Sequence, residues 1–429
     1  MPLPRLVRRL LTPPAMVLLA LTAFTSMPLL LLGAAAASPF LPGRLRPLRI
    51  LLFALVYLTL ETLLLMVLGL LWLAAGFGRR IDSPLMRSMH YRLAAWFLRA
   101  LMETARHAFN LRVEIEGREP QPGTRDPQIV LARHAGPGDS FLLIHELLNV
   151  QARRPRIVLK DALQWDPCID IALNRLPTRF IPMNTGAGSG VVDSIADLAA
   201  GMGIDDALVI FPEGANFSEP RRLRSIAKLE ELGRHAEAER ARAMRHLLAP
   251  RAGGMLAALA GCPQADVVLV AHTGLEELST VVDLWRGLPI DDEIKVRMWH
   301  VPAAQVPSDA TEQVKFLQDW WQRIDAWIGD EQGALATARA AAMSGSPFDD
   351  GRRDQEDQPM QRSRRLDMAR LVLALIVAAL LIWFALANSQ HVTVDYLMTT
   401  RDSRLIIVIV ASALLGAVAS RLLQRRSRD

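Results

Sequence analysis

The chain has 429 residues, 51% of them hydrophobic and 22% charged, with 26 glycines, 26 prolines and a formal charge of +5. The apolar content excludes intrinsic disorder as the main state, the absence of period in glycine and proline excludes a collagen-like chain, and the charge excludes a chain that is mostly membrane-spanning. What remains is a composite of membrane segments and a packed domain.

Two long apolar runs open the chain, from about Pro14 to Ala37 and from about Ile50 to Phe77. Each exceeds the roughly 20 helical residues that cross a bilayer. Arg5, Arg8 and Arg9 before the first run, and Ala34 to Ala37 at its end, give it the plan of a signal peptide. Its apolar part is too long for one, which predicts an uncleaved helix. Glu61 falls in the middle of the second run, as either a functional group or a neutral acid bonded within the hairpin. Two shorter runs, Leu371 to Ala387 and Leu405 to Ala419, predict a second hairpin near the end. Arginines at 79, 80, 362, 364, 365, 425 and 426 assign the central region to the cytoplasmic side of the membrane, against Arg44, Arg46 and Arg49 in the first loop. The expected organisation is an N-terminal membrane hairpin (1–80), a soluble-type domain (81–343), a polar linker (344–365) and a C-terminal membrane hairpin (366–429).

The central region alternates short apolar runs with helical patterns, an α/β signature that predicts a largely parallel sheet. Candidate strands are Gln128 to Ala132, Arg156 to Leu159, Arg179 to Pro182, Ala207 to Phe211 and Asp266 to Ala271. Cys168 and Cys262 lie too far apart in sequence to suggest a disulfide framework or a cysteine metal cluster, and a reducing compartment is the default. The small basic excess gives nucleic-acid binding no support.

Directly after the first of these strands comes Arg133-His134-Ala135-Gly136-Pro137-Gly138-Asp139. The glycines and proline allow a sharp turn, so His134 can stand at the strand end while Asp139 or Ser140 caps the next helix and faces back to the imidazole. A carboxylate on one ring nitrogen makes the other a better general base. The spacing H-x4-D is common by chance, and the second observation is Phe211-Pro212-Glu213-Gly214 at another strand end, on the sheet edge where α/β proteins bind ligands.

With these residues the chain resembles the glycerophospholipid acyltransferases, typified by the 1-acylglycerol-3-phosphate acyltransferases. The resemblance rests on His134 and Asp139, on Phe211 to Gly214, and on Val158-Leu159-Lys160, Trp165, Pro167 and Phe180-Ile181 as a second block. Leu247 to Arg251 looks like a stretch of the lysocardiolipin-acyltransferase-like branch, and Val267 to Gly274 like a fourth block. It implies an α/β acyltransferase domain in which His134 deprotonates an acceptor hydroxyl that attacks the thioester of acyl-CoA or acyl-carrier protein. Asp139 would orient His134, and Glu213 and Gly214 would place a lysophospholipid acceptor. No metal or cofactor beyond the acyl donor is implied.

Arg133 stands where the family has asparagine, Pro182-Met183-Asn184 where an arginine is expected, and Ala215-Asn216 where Thr-Arg is frequent. Arg133, Lys160, Arg179 and Arg251 are the candidate substitutes for binding the acceptor phosphate. His272, in the Val267 to Gly274 strand end, has two readings, a group that approaches the site and, in preference, a satisfied structural histidine. The last 60 residues, with Trp383 to Asn388, Val392 to Val394 and Gly416, resemble a LapA-type two-helix domain of lipopolysaccharide assembly, which implies membrane anchoring and an envelope-assembly partner. The alternatives are acylation of another envelope lipid, prompted by the missing arginines, and a non-catalytic membrane scaffold.

Overall fold

The computed structural model describes residues 4–41, 45–117, 126–181, 189–275, 293–344, 391–396 and 399–404. By its contacts the chain separates into two units, Met1–Thr25 with Gly43–Phe348 and Ser26–Pro42 with Asp349–Asp429.

Two helices open the chain, α1 (Arg5–Thr25) and α2 (Met27–Ala37). The single helix predicted from Pro14 to Ala37 is therefore two, and it begins earlier. Pro28 lies in the first turn of α2, where its missing N–H has no partner to lose. Helix α3 (Arg46–Ala74) is followed by α4 (Pro84–Phe109), which Ser83 starts by accepting a bond from the Met86 N–H at 3.4 Å. Then come β1 (Arg112–Glu116), β2 (Gln128–Ala132), α5 (Pro137–His145), β3 (Arg154–Lys160), α6 (Pro167–Leu173), β4 (Thr178–Ile181) and α7 (Ser189–Ala200). The domain ends with β5 (Asp206–Ile210), α8 (Glu219–Glu231), α9 (His235–Ala243), α10 (Gly253–Gly261), β6 (Asp266–Thr273), β7 (Glu293–Val301) and α11 (Ala310–Ser344).

Seven strands form one sheet in the order β1-β7-β6-β2-β5-β3-β4. Every neighbouring pair is parallel except β6 with β7. The five candidate strands are present within two residues of their expected ends. Strands β1 and β7 are additions: β1 is a half-exposed edge strand carrying three charges in five residues, and β7 alternates buried and less buried positions.

Strand side chains alternate between faces, so the central strands β2, β5 and β6 feed two cores. On one face Ile129, Leu131, Leu208 and Leu269 pack with Ile195 and Leu198 of α7, Met255 of α10, and Leu317, Trp321 and Ile324 of α11. Helices α7 and α10 approach so closely that a Cβ on Gly261 would stand 2.6 Å from the Ala196 carbonyl oxygen. On the other face Val130, Ala132, Val209 and Val270 pack with Met102 of α4 and Leu142 and Leu143 of α5.

Helix α3 forms the next layer: Leu60, Leu64 and Leu68 pack with Phe97, Leu98 and Leu101 of α4 and with Cys168 of α6. Glu61 is buried beside α6, where the Cys168 thiol donates to its backbone oxygen at 3.4 Å. Its surroundings are the domain rather than another helix of a hairpin. Helix α1 is strapped to α6 by Arg8 and Arg9, which reach the fully buried Asp170 at 2.6 and 3.0 Å. Both α1 and α3 are long and apolar enough to cross a membrane. Leu10, Leu18 and Leu21 of α1, and Met66, Leu70 and Leu73 of α3, are exposed.

The second unit contains α2 and an antiparallel pair, β8 (His391–Tyr396) with β9 (Thr399–Arg404). The linker from 345 onward and the helices expected at Leu371 to Ala387 and Leu405 to Ala419 lie outside the described residues.

Candidate active site

The site is built at the carboxyl ends of three adjacent strands. In the register Ala132 pairs with Val270 and Leu131 with Ile210, so two to three steps further His134 lies between His272 on β6 and Glu213 after β5. The Arg133 N–H still bonds the Val270 oxygen at 2.9 Å, which carries the parallel ladder to the edge of the site.

Gly136 is extended and precedes α5, and Asp139 lies in the first turn of that helix. Its Oδ2 accepts the Ala135 and Gly136 N–H groups at 2.6 and 2.9 Å, while both carboxylate oxygens lie 3.2 Å from His134 Nδ1. The helix start, which needs an acceptor, and the histidine, which needs an orienter, thus share one side chain. Burial alone would raise the Asp139 pKa, but the two histidines beside it, His134 and His272, outweigh it and hold the carboxyl well below its ordinary value. An ionised carboxylate only accepts, so His134 carries its hydrogen on Nδ1 and presents the bare Nε2 lone pair. The Phe211 ring, tilted 31° with centroids 4.4 Å apart, supports the imidazole, and the Phe217 N–H bonds the His134 carbonyl at 2.8 Å.

Glu213 is only 2% exposed. One of its oxygens accepts the His134 N–H and the other the Leu248 N–H, each at 2.9 Å. The acceptor-placing role expected for it is thereby corrected: the carboxylate faces inward and ties the histidine's backbone to the 246–251 loop. Burial raises its pKa to about 7, opposed by the bonds from Leu248 and His134 and by the charges of Arg133 and His134. Pro212 is buried, and its carbonyl accepts the Arg251 N–H at 2.9 Å, a second tie to the same loop.

Of the four candidate phosphate ligands, Arg133 is a correction. It is 1% exposed, and its guanidinium bonds the backbone oxygens of His272 and His246 beneath the site. Its long side chain points into the interior because the residue before His134 falls on the inner side of the turn. Arg251 is brought to the site: it is exposed, and its Nη1 would lie 3.3 Å from a Cβ on Gly214. Gly214 adopts φ +69°, and with no side chain it leaves that room to the guanidinium. Lys160 is exposed at the end of β3, two strands from β2 and so about 10 Å across the sheet. Arg179, exposed on edge strand β4, is one spacing further, about 14 Å from β2, and is not brought to the site. Pro182-Met183-Asn184 lies outside the described residues.

His272 takes the less favoured of its two readings and approaches the site. It is buried, neither ring nitrogen has a hydrogen-bond partner, and its Nε2 is 3.5 Å from Asp139 Oδ2. Its parallel register with His134 is the signal that could have found it. Among the described residues one set of potential metal ligands, Glu61, Asp166 and Cys168, has donor atoms within 4.8 Å of one another. It lies between α3 and α6 and takes no part in the His134 site.

Residues 112–269, from β1 into β6, match the family model Acyltransferase. No curated protein matches the chain. The solved structure of the 1-acyl-sn-glycerophosphate (LPA) acyltransferase PlsC from Thermotoga maritima aligns over 64% of this chain and 96% of its own, with 14% identity and a TM-score of 0.36. The family match spans β2, α5 and β5, the elements that hold His134, Asp139 and the turn to Glu213.

Proposed function

We propose that the chain moves a fatty acyl group from acyl-CoA or acyl-carrier protein to the hydroxyl of a lysophospholipid, in phospholipid synthesis or remodelling. The observation that carries this reading is His134 held by Asp139 at the sheet edge, with its free ring nitrogen turned away from the carboxylate. His134 Nε2 takes the proton of the acceptor hydroxyl as its oxygen attacks the thioester carbonyl. A C–O bond forms, the C–S bond breaks, and the thiolate leaves with the proton from His134. The acceptor is the nucleophile, so no acyl-enzyme is needed. Arg251 over Gly214 is the cation best placed to meet a phosphate on the acceptor.

The exposed leucines of α1 and α3 support a membrane-bound enzyme whose lipid acceptor reaches it from the bilayer, on the cytoplasmic side by the arginine pattern. The test is acyl transfer from palmitoyl-CoA to a panel of lysolipids with and without a terminal phosphate. Transfer to the phosphate-bearing members is expected, and transfer to none of the panel would overturn the reading. One observation favours a second acceptor class, another envelope lipid: Arg133 is held by backbone carbonyls. A strong preference for lysophosphatidic acid would count against it.

A further inference from the structure

Asp139 lies between two histidines, and only one of them is accounted for by the dyad. His272 is on β6, in the parallel register that sets it beside His134. Its even-numbered neighbours Val268 and Val270 share the sheet face on which α5 lies. The ring is 4% exposed, and both nitrogens are buried without a partner. A buried ring with two unmet polar atoms carries a desolvation cost that a purely space-filling residue would not impose, since a phenylalanine or leucine would fill the same room without it. Asp139 Oδ2 stands 3.5 Å from His272 Nε2, a few tenths of an ångström beyond an ordinary bond. Catalytic hydrogen bonds are often long in the empty site and shorten when substrate closes it.

We propose that His272 is a positioning residue for acyl transfer: its Nε2–H donates to Asp139 and fixes the carboxylate against His134 Nδ1 from the β6 side. The carboxylate is then held by the helix-start N–H groups and one histidine while it orients the other. Arg133, bonded to the His272 carbonyl, fixes the backbone of β6 at that point. The sequence Asp139–His134 acts on substrate, and His272 acts through it. This inference rests on the acyl-transfer reading above.

The experiment compares three variants of the full-length protein in detergent or vesicles, with palmitoyl-CoA and the best acceptor of the lysolipid panel. His272→Gln places an amide nitrogen where Nε2 stood and can still donate to Asp139. His272→Asn places one nearer Nδ1 and cannot reach, while His272→Phe fills the space without a donor. The expected result is near-wild-type kcat for Gln, a fall of about tenfold or more for Asn and Phe, and an unchanged KM throughout. Thermal midpoints identify any variant that fails to fold, and the Gln against Asn comparison decides the matter if Phe is lost. Full activity of folded Asn or Phe variants, or equal loss in Gln and Asn, would overturn the proposal alone. A wild-type protein that transfers no acyl group would overturn both this inference and the reading beneath it.

Discussion

At the scale of single residues, Asp139 and Glu213 are both buried carboxylates bonded to backbone N–H groups, yet their pKa values move in opposite directions. Asp139 has two histidines beside it and stays ionised, so its task is to fix a tautomer. Asp139→Asn keeps the shape but replaces one acceptor with a donor. It is expected to lower kcat by about 10²-fold or more with little change in KM, read by steady-state kinetics on folded protein. Glu213 meets burial as the larger effect, and its pKa rises from an ordinary 4.5 to about 7. Its folded-state pKa lies above its unfolded value, so its contribution to stability is fully present below about pH 4.5 and is lost as pH rises through about 7. Glu213→Gln removes this titration. Urea unfolding at pH 5 and pH 8 should show wild type losing up to about 3 kcal/mol more than the variant over that interval. An equal slope in both proteins contradicts the assignment.

At the scale of elements, local sequence determined most of what was legible. His134 and Asp139 are five positions apart, and a glycine-proline turn between a strand and a helix brings them together without help from the rest of the chain. The turn at Phe211 to Gly214 was legible for the same reason. The direction of the Glu213 carboxylate was not, because it depends on the Leu248 N–H 35 positions away. The surroundings of Arg133 and His272 were not legible for the same cause: their partners come from strand register and from the 246–251 loop, which residue types alone do not determine. Strand β1 escaped notice because its charges suit a solvent edge. Helix α1 is held by Arg8 and Arg9 on Asp170, and removing one partner of a buried pair leaves an uncompensated charge. Asp170→Asn is expected to cost about 3–5 kcal/mol and to raise hydrogen exchange in residues 5–25, with the sheet still protected.

At the scale of the whole molecule, the apolar half of the composition divides between the two faces of one sheet and helices that keep leucines on the outside. The fold class was legible because strand and helix periods alternate along the chain, and five strands run parallel, with β1 and β7 reversed at one edge. The middle of α3 packs on the domain through Leu60, Leu64 and Glu61, so the enzyme and this apolar helix share a core. An acyltransferase joined in this way to a helix long and apolar enough to cross a membrane suits the lipid acceptor proposed for it. The central claim is that His134 is the base of that reaction. Its direct test is acyl transfer by membranes containing His134→Ala beside wild type, with the amount of folded, membrane-bound protein matched. Loss of transfer by about 10²-fold or more is expected. Transfer at the wild-type rate would contradict it.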